Sequence, residues 1–157
     1  MRTIPEDLIW NIMNLSVEMT QYFRRQSPID ITFLGHQIQC LSEDLPTEFA
    51  RISREDENLS FDSVTQNVVV YGTTFHLNCG RCRGFNLMTS VQPDTKQILK
   101  VREAISKFHG EANFEEEWHY SWLPYTDSTK KGTNYPVIHM RRVRTYDDNG
   151  GTVIIVN

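Results

Sequence analysis

The sequence predicts an α+β fold built around a mainly antiparallel sheet. One segment, Ile98 to Phe108, carries apolar residues at helical spacing between a capping aspartate and a glycine. Several short apolar segments alternate with a period of two and are joined by turns rich in glycine, asparagine and aspartate. The elements run helix, hairpin, short helix, several strands, helix, hairpin, an order that favours an antiparallel sheet with helices packed beside it.

Taken in order, Thr3 followed by Glu6 forms a capping box, with Pro5 suited to the first helical turn. Leu8, Ile9, Ile12, Met13, Leu15, Met19, Tyr22 and Phe23 recur at helical spacing, so a helix is expected over about 4–25, stopped by Ser27-Pro28. Ile29, Ile31 and Phe33, then Ile38 and Cys40, alternate about Gly35, whose freedom at positive φ suits a tight hairpin turn. Leu45, Phe49 and Ile52 share one face of a short helix, and the polar stretch Arg54 to Ser60 reads as a loop. Val68 to Tyr71 reads as a central strand buried on both faces. Phe75 to Leu77 and Phe85 to Met88 flank Cys79-Gly-Arg-Cys82 as a hairpin with the cysteines at its tip. Pro93-Asp94 opens the clearest helix, 94–109, whose apolar side is Ile98, Leu99, Val101, Ala104, Ile105 and Phe108; Gly110 ends it. An acidic run, Glu115 to Glu117, and an aromatic cluster follow, then a polar loop over 126–134. Val137 to Tyr146 and Thr152 to Val156 form a last hairpin about Asp147 to Gly151.

The 157 residues fit a single domain, 1–157, and 39% hydrophobic residues suffice for a core. A net charge of -4 argues against coating nucleic acid through bulk charge. No apolar run reaches the roughly 18 residues that cross a bilayer, so no membrane partner is expected. Glu6 and Asp7 interrupt any signal-peptide core, and three cysteines are too few for a disulfide framework. The expected location is therefore intracellular, cytoplasmic or nuclear.

Chemistry-bearing side chains concentrate in Phe75-His-Leu-Asn-Cys-Gly-Arg-Cys-Arg-Gly-Phe85. Cys79 and Cys82 on a tight turn can present two thiolates to one ion, and His36 with Cys40 is a second close pair in sequence. Together His36, Cys40, Cys79 and Cys82 have the composition of a tetrahedral zinc site. The competing reading makes Cys40 and Cys79 small buried hydrophobes. His119 with Glu116 could serve as a general acid/base pair, and His119 and Ser121 could share a strand face. Trp118, Tyr120 and Trp122 alternate on one strand face, as a recognition surface or as core. Arg141, Arg142 and Arg144 form a basic cluster that could touch phosphate or an acidic partner.

Two short stretches resemble known families. Ile4-Pro5-Glu6-Asp7-Leu8 followed by Ile12 resembles the opening of an F-box, which implies a ubiquitin-ligase adaptor; the match stops there. The order strand, CxxC, strand, helix from Thr74 to Phe108 is similar to half of the zinc domain of papillomavirus oncoproteins, without their second CxxC or their Leu-x-Cys-x-Glu peptide. Neither identifies the chain. The expected function is a non-enzymatic protein–protein interaction or regulatory role, with Glu116, Trp118, Tyr120, Trp122, Arg141, Arg142 and Arg144 at the partner surface. Small viral or phage antagonists of host proteins have this character, by analogy. The alternatives are a small hydrolase or nuclease using His119 and Glu116 or a metal at the cysteines, and a nucleic-acid binder using the basic hairpin.

Overall fold

The computed structural model describes residues 28–79, 83–90, 92–116, 119–124, 134–143 and 151–157. The helix expected over 4–25 lies outside them. The fold is α+β, as expected: the described residues form two α-helices, a two-stranded sheet and a large antiparallel sheet.

Strands β1 (Ile29–Phe33) and β2 (His36–Cys40) form the first hairpin. Its turn places Leu34 at φ 49° and Gly35 at φ 80°, the pair of positive values that a tight turn between twisted strands requires. Gly35 is also needed for space, because a Cβ there would stand 2.8 Å from the Phe108 ring. Helix α1 (Leu45–Glu55) buries Leu45, Phe49 and Ile52, the face read from the sequence.

The large sheet has eight strands: β3 (Leu59–Asp62), β4 (Asn67–Val70), β5 (Thr73–Asn78), β6 (Phe85–Met88), β7 (Phe114–Glu116), β8 (His119–Trp122), β9 (Ile138–Arg142) and β10 (Thr152–Val156). Their spatial order is β3-β4-β5-β6-β10-β9-β8-β7. The chain lays down one meander, crosses through helix α2 (Thr95–His109) to the far edge, and returns inward until β10 meets β6. All seven pairings are antiparallel.

Two glycines allow that closing seam. A Cβ on Gly84 would lie 1.8 Å from the Val156 carbonyl oxygen, and one on Gly151 would lie 2.1 Å from that of Thr89. Both obstacles are backbone, which no rotamer change relieves. At the seam, Thr89 N–H donates to the Thr152 carbonyl at 2.9 Å and Thr152 N–H donates to Thr89 Oγ1 at 2.7 Å.

The core lies on one face of this sheet. Phe85 of β6 meets the edges of Phe33 from β1 and Phe49 from α1, at centroid distances of 5.2 and 5.3 Å. Helix α2 begins with a reciprocal capping box: Lys96 N–H donates to the Asp94 side chain and Asp94 N–H donates to the Gln97 side chain. It ends at Gly110, at φ 84°. Its buried residues are Ile98, Val101, Ala104, Ile105 and His109, and the Leu34 N–H donates to His109 Nε2 at 3.0 Å, tying the first hairpin to the helix end.

Several expectations are corrected. Leu99 is 39% exposed, one position off the buried stripe, and Phe108 is only partly buried because it packs over the hairpin turn. Val68 and Val70 point into the core but Val69 is half-buried on the opposite face; the strand buried on nearly every residue is β10. The polar stretch after Arg54 overlaps the start of β3, and the acidic run overlaps β7. Both are edge strands, which need little apolar content. Among the described residues no helix is long and apolar enough to cross a membrane.

The seam makes a direct prediction. Gly84→Ala should destabilise the protein by about 3 kcal/mol or more, as overpacking against fixed atoms does. Gly72→Ala, with nothing within 4 Å of its Cβ, should cost only the strain of a positive φ. Urea unfolding of the two variants beside wild type measures the difference; equal losses would contradict the seam's role.

Candidate functional site

Cross-strand partners in an antiparallel sheet project to the same side. The register therefore assembles two rows on the sheet face away from the core. Glu116, His119, Arg141, Val153, Met88, His76 and Asn67 form one, running across the sheet from β7 to β4. Phe114, Ser121, His139, Ile155 and Asn86 form the other. The imidazoles of His119 and His139, the Arg141 guanidinium and the Glu116 carboxylate gather at the β7–β9 end.

At that end Ser121 Oγ lies 2.7 Å from His139 Nδ1 and 3.3 Å from His119 Nε2. A hydroxyl has one proton, so it donates to one imidazole and accepts from the other. The shorter contact suits donation to His139 Nδ1, leaving His119 Nε2–H as the donor to Ser121. The two imidazole centroids are 5.7 Å apart, and the exposed Phe114 ring stands edge-on to His119 at 5.1 Å. His139 is held below its ordinary value of 6.5, first by burial and then by the positive charges of His119 and Arg141.

This has a pH consequence. A histidine with a depressed folded-state pKa takes up its proton more readily in the unfolded chain. Its stabilising contribution is therefore complete above 6.5 and is lost as pH falls through that value toward the folded-state pKa. Unfolding free energy measured between about pH 8 and about pH 5 should decline for wild type, and His139→Gln should remove part of that decline. Parallel curves for the two proteins would show that His139 contributes nothing to it.

The aromatic residues expected at a partner surface sit on the other side of the same strands. Trp122 is 1% exposed; its Nε1–H donates to the Gly110 carbonyl at 3.0 Å and to Ser106 Oγ at 3.3 Å. Tyr120 is half-buried beneath Arg102, whose guanidinium lies 4.6 Å from the ring centroid and also pairs with Glu115. Trp122 is thus a core residue and is corrected as a contact residue. Alternation did place Tyr120 and Trp122 on one face, but that face packs on α2. Trp118 and Arg144 lie outside the described residues. Arg141 and Arg142 are both exposed, yet as strand neighbours they project to opposite faces, so they do not form one basic stripe.

The zinc expectation is also rearranged. His36 and Cys40 occupy opposite ends of β2, about 13 Å apart at the usual rise per strand residue, too far to share an ion. His36 Nε2 instead pairs with the Asp56 carboxylate at 2.9 Å, and that hydrogen bond is the main cause holding Asp56 below the usual carboxylate range. A Cys79 thiolate is a minor cause raising the Cys40 pKa. Burial, then Glu48 and Asp44, are the larger causes that push Cys40 up to about 11, and desolvation raises Cys79 as well. Cys82 lies outside the described residues, and among those described no three His, Cys, Asp or Glu side chains gather as a metal cluster.

His119 and Ser121 were recognisable in the sequence as sharing a strand face. His139 was not, since only the β8–β9 register brings it beside them. Comparison with protein families, with characterised proteins and with solved structures gives no match for this chain.

Proposed function

We propose that this protein acts by binding a protein partner through β7 and the outer face of β7–β9. One observation carries the proposal. Strand β7 ends the large sheet, has β8 as its one strand neighbour among the described residues, and exposes all three of its residues. A sheet edge offers backbone hydrogen-bonding groups to an added strand, and neighbouring side chains supply selectivity. Here Phe114, 39% exposed, offers an apolar anchor, and the exposed Glu111, Glu115 and Glu116 favour a segment with basic residues. The partner segment that fits is extended, basic and apolar by turns.

A catalytic reading has one feature in its favour, the 2.7 Å contact of Ser121 with His139. Against it, Ser121 is 3% exposed, and a nucleophile must reach its substrate. The zinc reading attaches to Cys40 and Cys79, and elemental analysis of the purified protein tests it.

Extended peptides selected from a random display library against the wild-type protein should be enriched in basic and apolar residues. Phe114→Ala should weaken the selected peptides by about 2 kcal/mol, the scale of an interface hot spot, and Glu116→Lys should weaken them further. Trp122→Ala should instead cost about 3–5 kcal/mol of folding stability, the range for emptying a large aromatic site. Peptides that bind the Phe114 and Glu116 variants as tightly as wild type would overturn the assignment of this edge.

A further inference from the structure

The three residues of β7 offer different chemistry on the two sides of the sheet. Phe114 and Glu116 project from the outer face, and Glu115 between them projects toward α2, since successive strand residues alternate. Cross-strand pairing gives the same division: Phe114 opposes Ser121 and Glu116 opposes His119, whereas Glu115 opposes Tyr120.

The helix places a cation on the second of these sides. Arg102 of α2 pairs with the Glu115 carboxylate and lies over the Tyr120 ring, 4.6 Å from its centroid. Its side chain is 28% exposed, so the guanidinium stands at the margin of the sheet. Glu115 therefore presents to an incoming strand a charge already matched. A lysine or arginine beside it would meet Arg102 as a like charge. On the outer side Glu116 has His119 as its cross-strand neighbour. The Arg141 guanidinium belongs to the strand beyond, roughly 10 Å inward at the usual strand spacing. That is about one screening length at physiological salt, so Glu116 keeps an effective negative charge at the margin, two residues from the exposed Phe114 ring.

A strand added to β7 would inherit this asymmetry, because each of its side chains projects to the same side as the β7 residue it opposes. We infer that the partner strand carries one basic and one apolar residue two positions apart on one face, with a non-basic residue between them, and that Arg102 is the residue that excludes a polybasic segment. This spacing rests on β7 being the binding edge, as proposed above, and adds to that edge the pattern it selects.

Peptides selected from a display library on the full chain supply the probes, and their affinities are measured at low salt. Peptides that lose affinity to Phe114→Ala should carry lysine or arginine two positions from a large apolar residue. Lysine placed between the two should weaken the tightest of them by about fivefold on the wild-type protein, the scale of one exposed charge pair. On Arg102→Gln the same lysine should cost nothing. Arg102→Lys should restore the penalty, and about 1 M salt should abolish it in wild type. Glu115→Gln, at an exposed position, leaves Arg102 unmatched and should enlarge the penalty, which keeps the test decisive if Arg102→Gln disturbs the packing on Tyr120. Peptides indifferent to Phe114→Ala would overturn the edge itself and the spacing with it. Peptides that need Phe114 but carry adjacent basic and apolar residues, or that accept the middle lysine as well on wild type as on Arg102→Gln, would overturn the spacing alone.

Discussion

The backbone-to-backbone approach of β6 and β10 governs the rest of this structure. It joins two meanders into one sheet, and it is possible only where Gly84 and Gly151 omit their side chains. Once β10 is fixed against β6, its register fixes β9, then β8, then β7. The rows of side chains that cross the outer face inherit that register. So does the core, because Phe85 lies next to Gly84 and is itself gripped by Phe33 and Phe49. A one-residue slip at this seam would exchange the two faces of every strand beyond it.

The two faces divide the work. On the core face the helices and the first hairpin cover aliphatic and aromatic side chains, and the Trp122 indole N–H found there is satisfied by Gly110 and Ser106. On the outer face the sheet gathers three histidines, an arginine and a glutamate into rows. Such a face costs hydration when it is covered, so it favours contacts that replace water with hydrogen bonds over contacts that merely exclude it. That preference agrees with the strand addition proposed at β7, where the backbone supplies directional partners.

The fold class was legible because its strongest signals are local. Helix α2 announced itself through Pro93-Asp94, its apolar period and Gly110, and the first hairpin through Gly35. Local signals misled where burial depends on distant packing. Leu99 fits the helical period but falls just outside the contact, and a run of valines in β4 suggested a central strand although the centre belongs to β10. Strands β3 and β7 escaped notice because, among the described residues, their outer sides meet no other strand of the sheet, so little apolar pattern is required of them. The candidate site was half visible. His119 and Ser121 share a strand, but His139 joins them only through pairing across 18 residues, and the pairing of His36 with Asp56 spans 20. The reading of Trp122 failed for a related reason: period-two alternation tells which residues share a face, not which face looks outward.

The position of β10 bears on how the protein reaches its native state. Its contacts with the segment after β6 join residues 63 apart in sequence, and β10 is the last of the described strands to be made. Each meander can close early through nearby pairings, but until β10 is seated both β6 and β9 present open edges rich in unsatisfied backbone groups. Loop closure over such a separation is slow, and exposed edges recruit other chains. The interval between forming the meanders and inserting β10 is therefore when nascent chains are most prone to aggregate, and a chaperone that shields strand edges would act there, well before the partner edge proposed at β7 has any role.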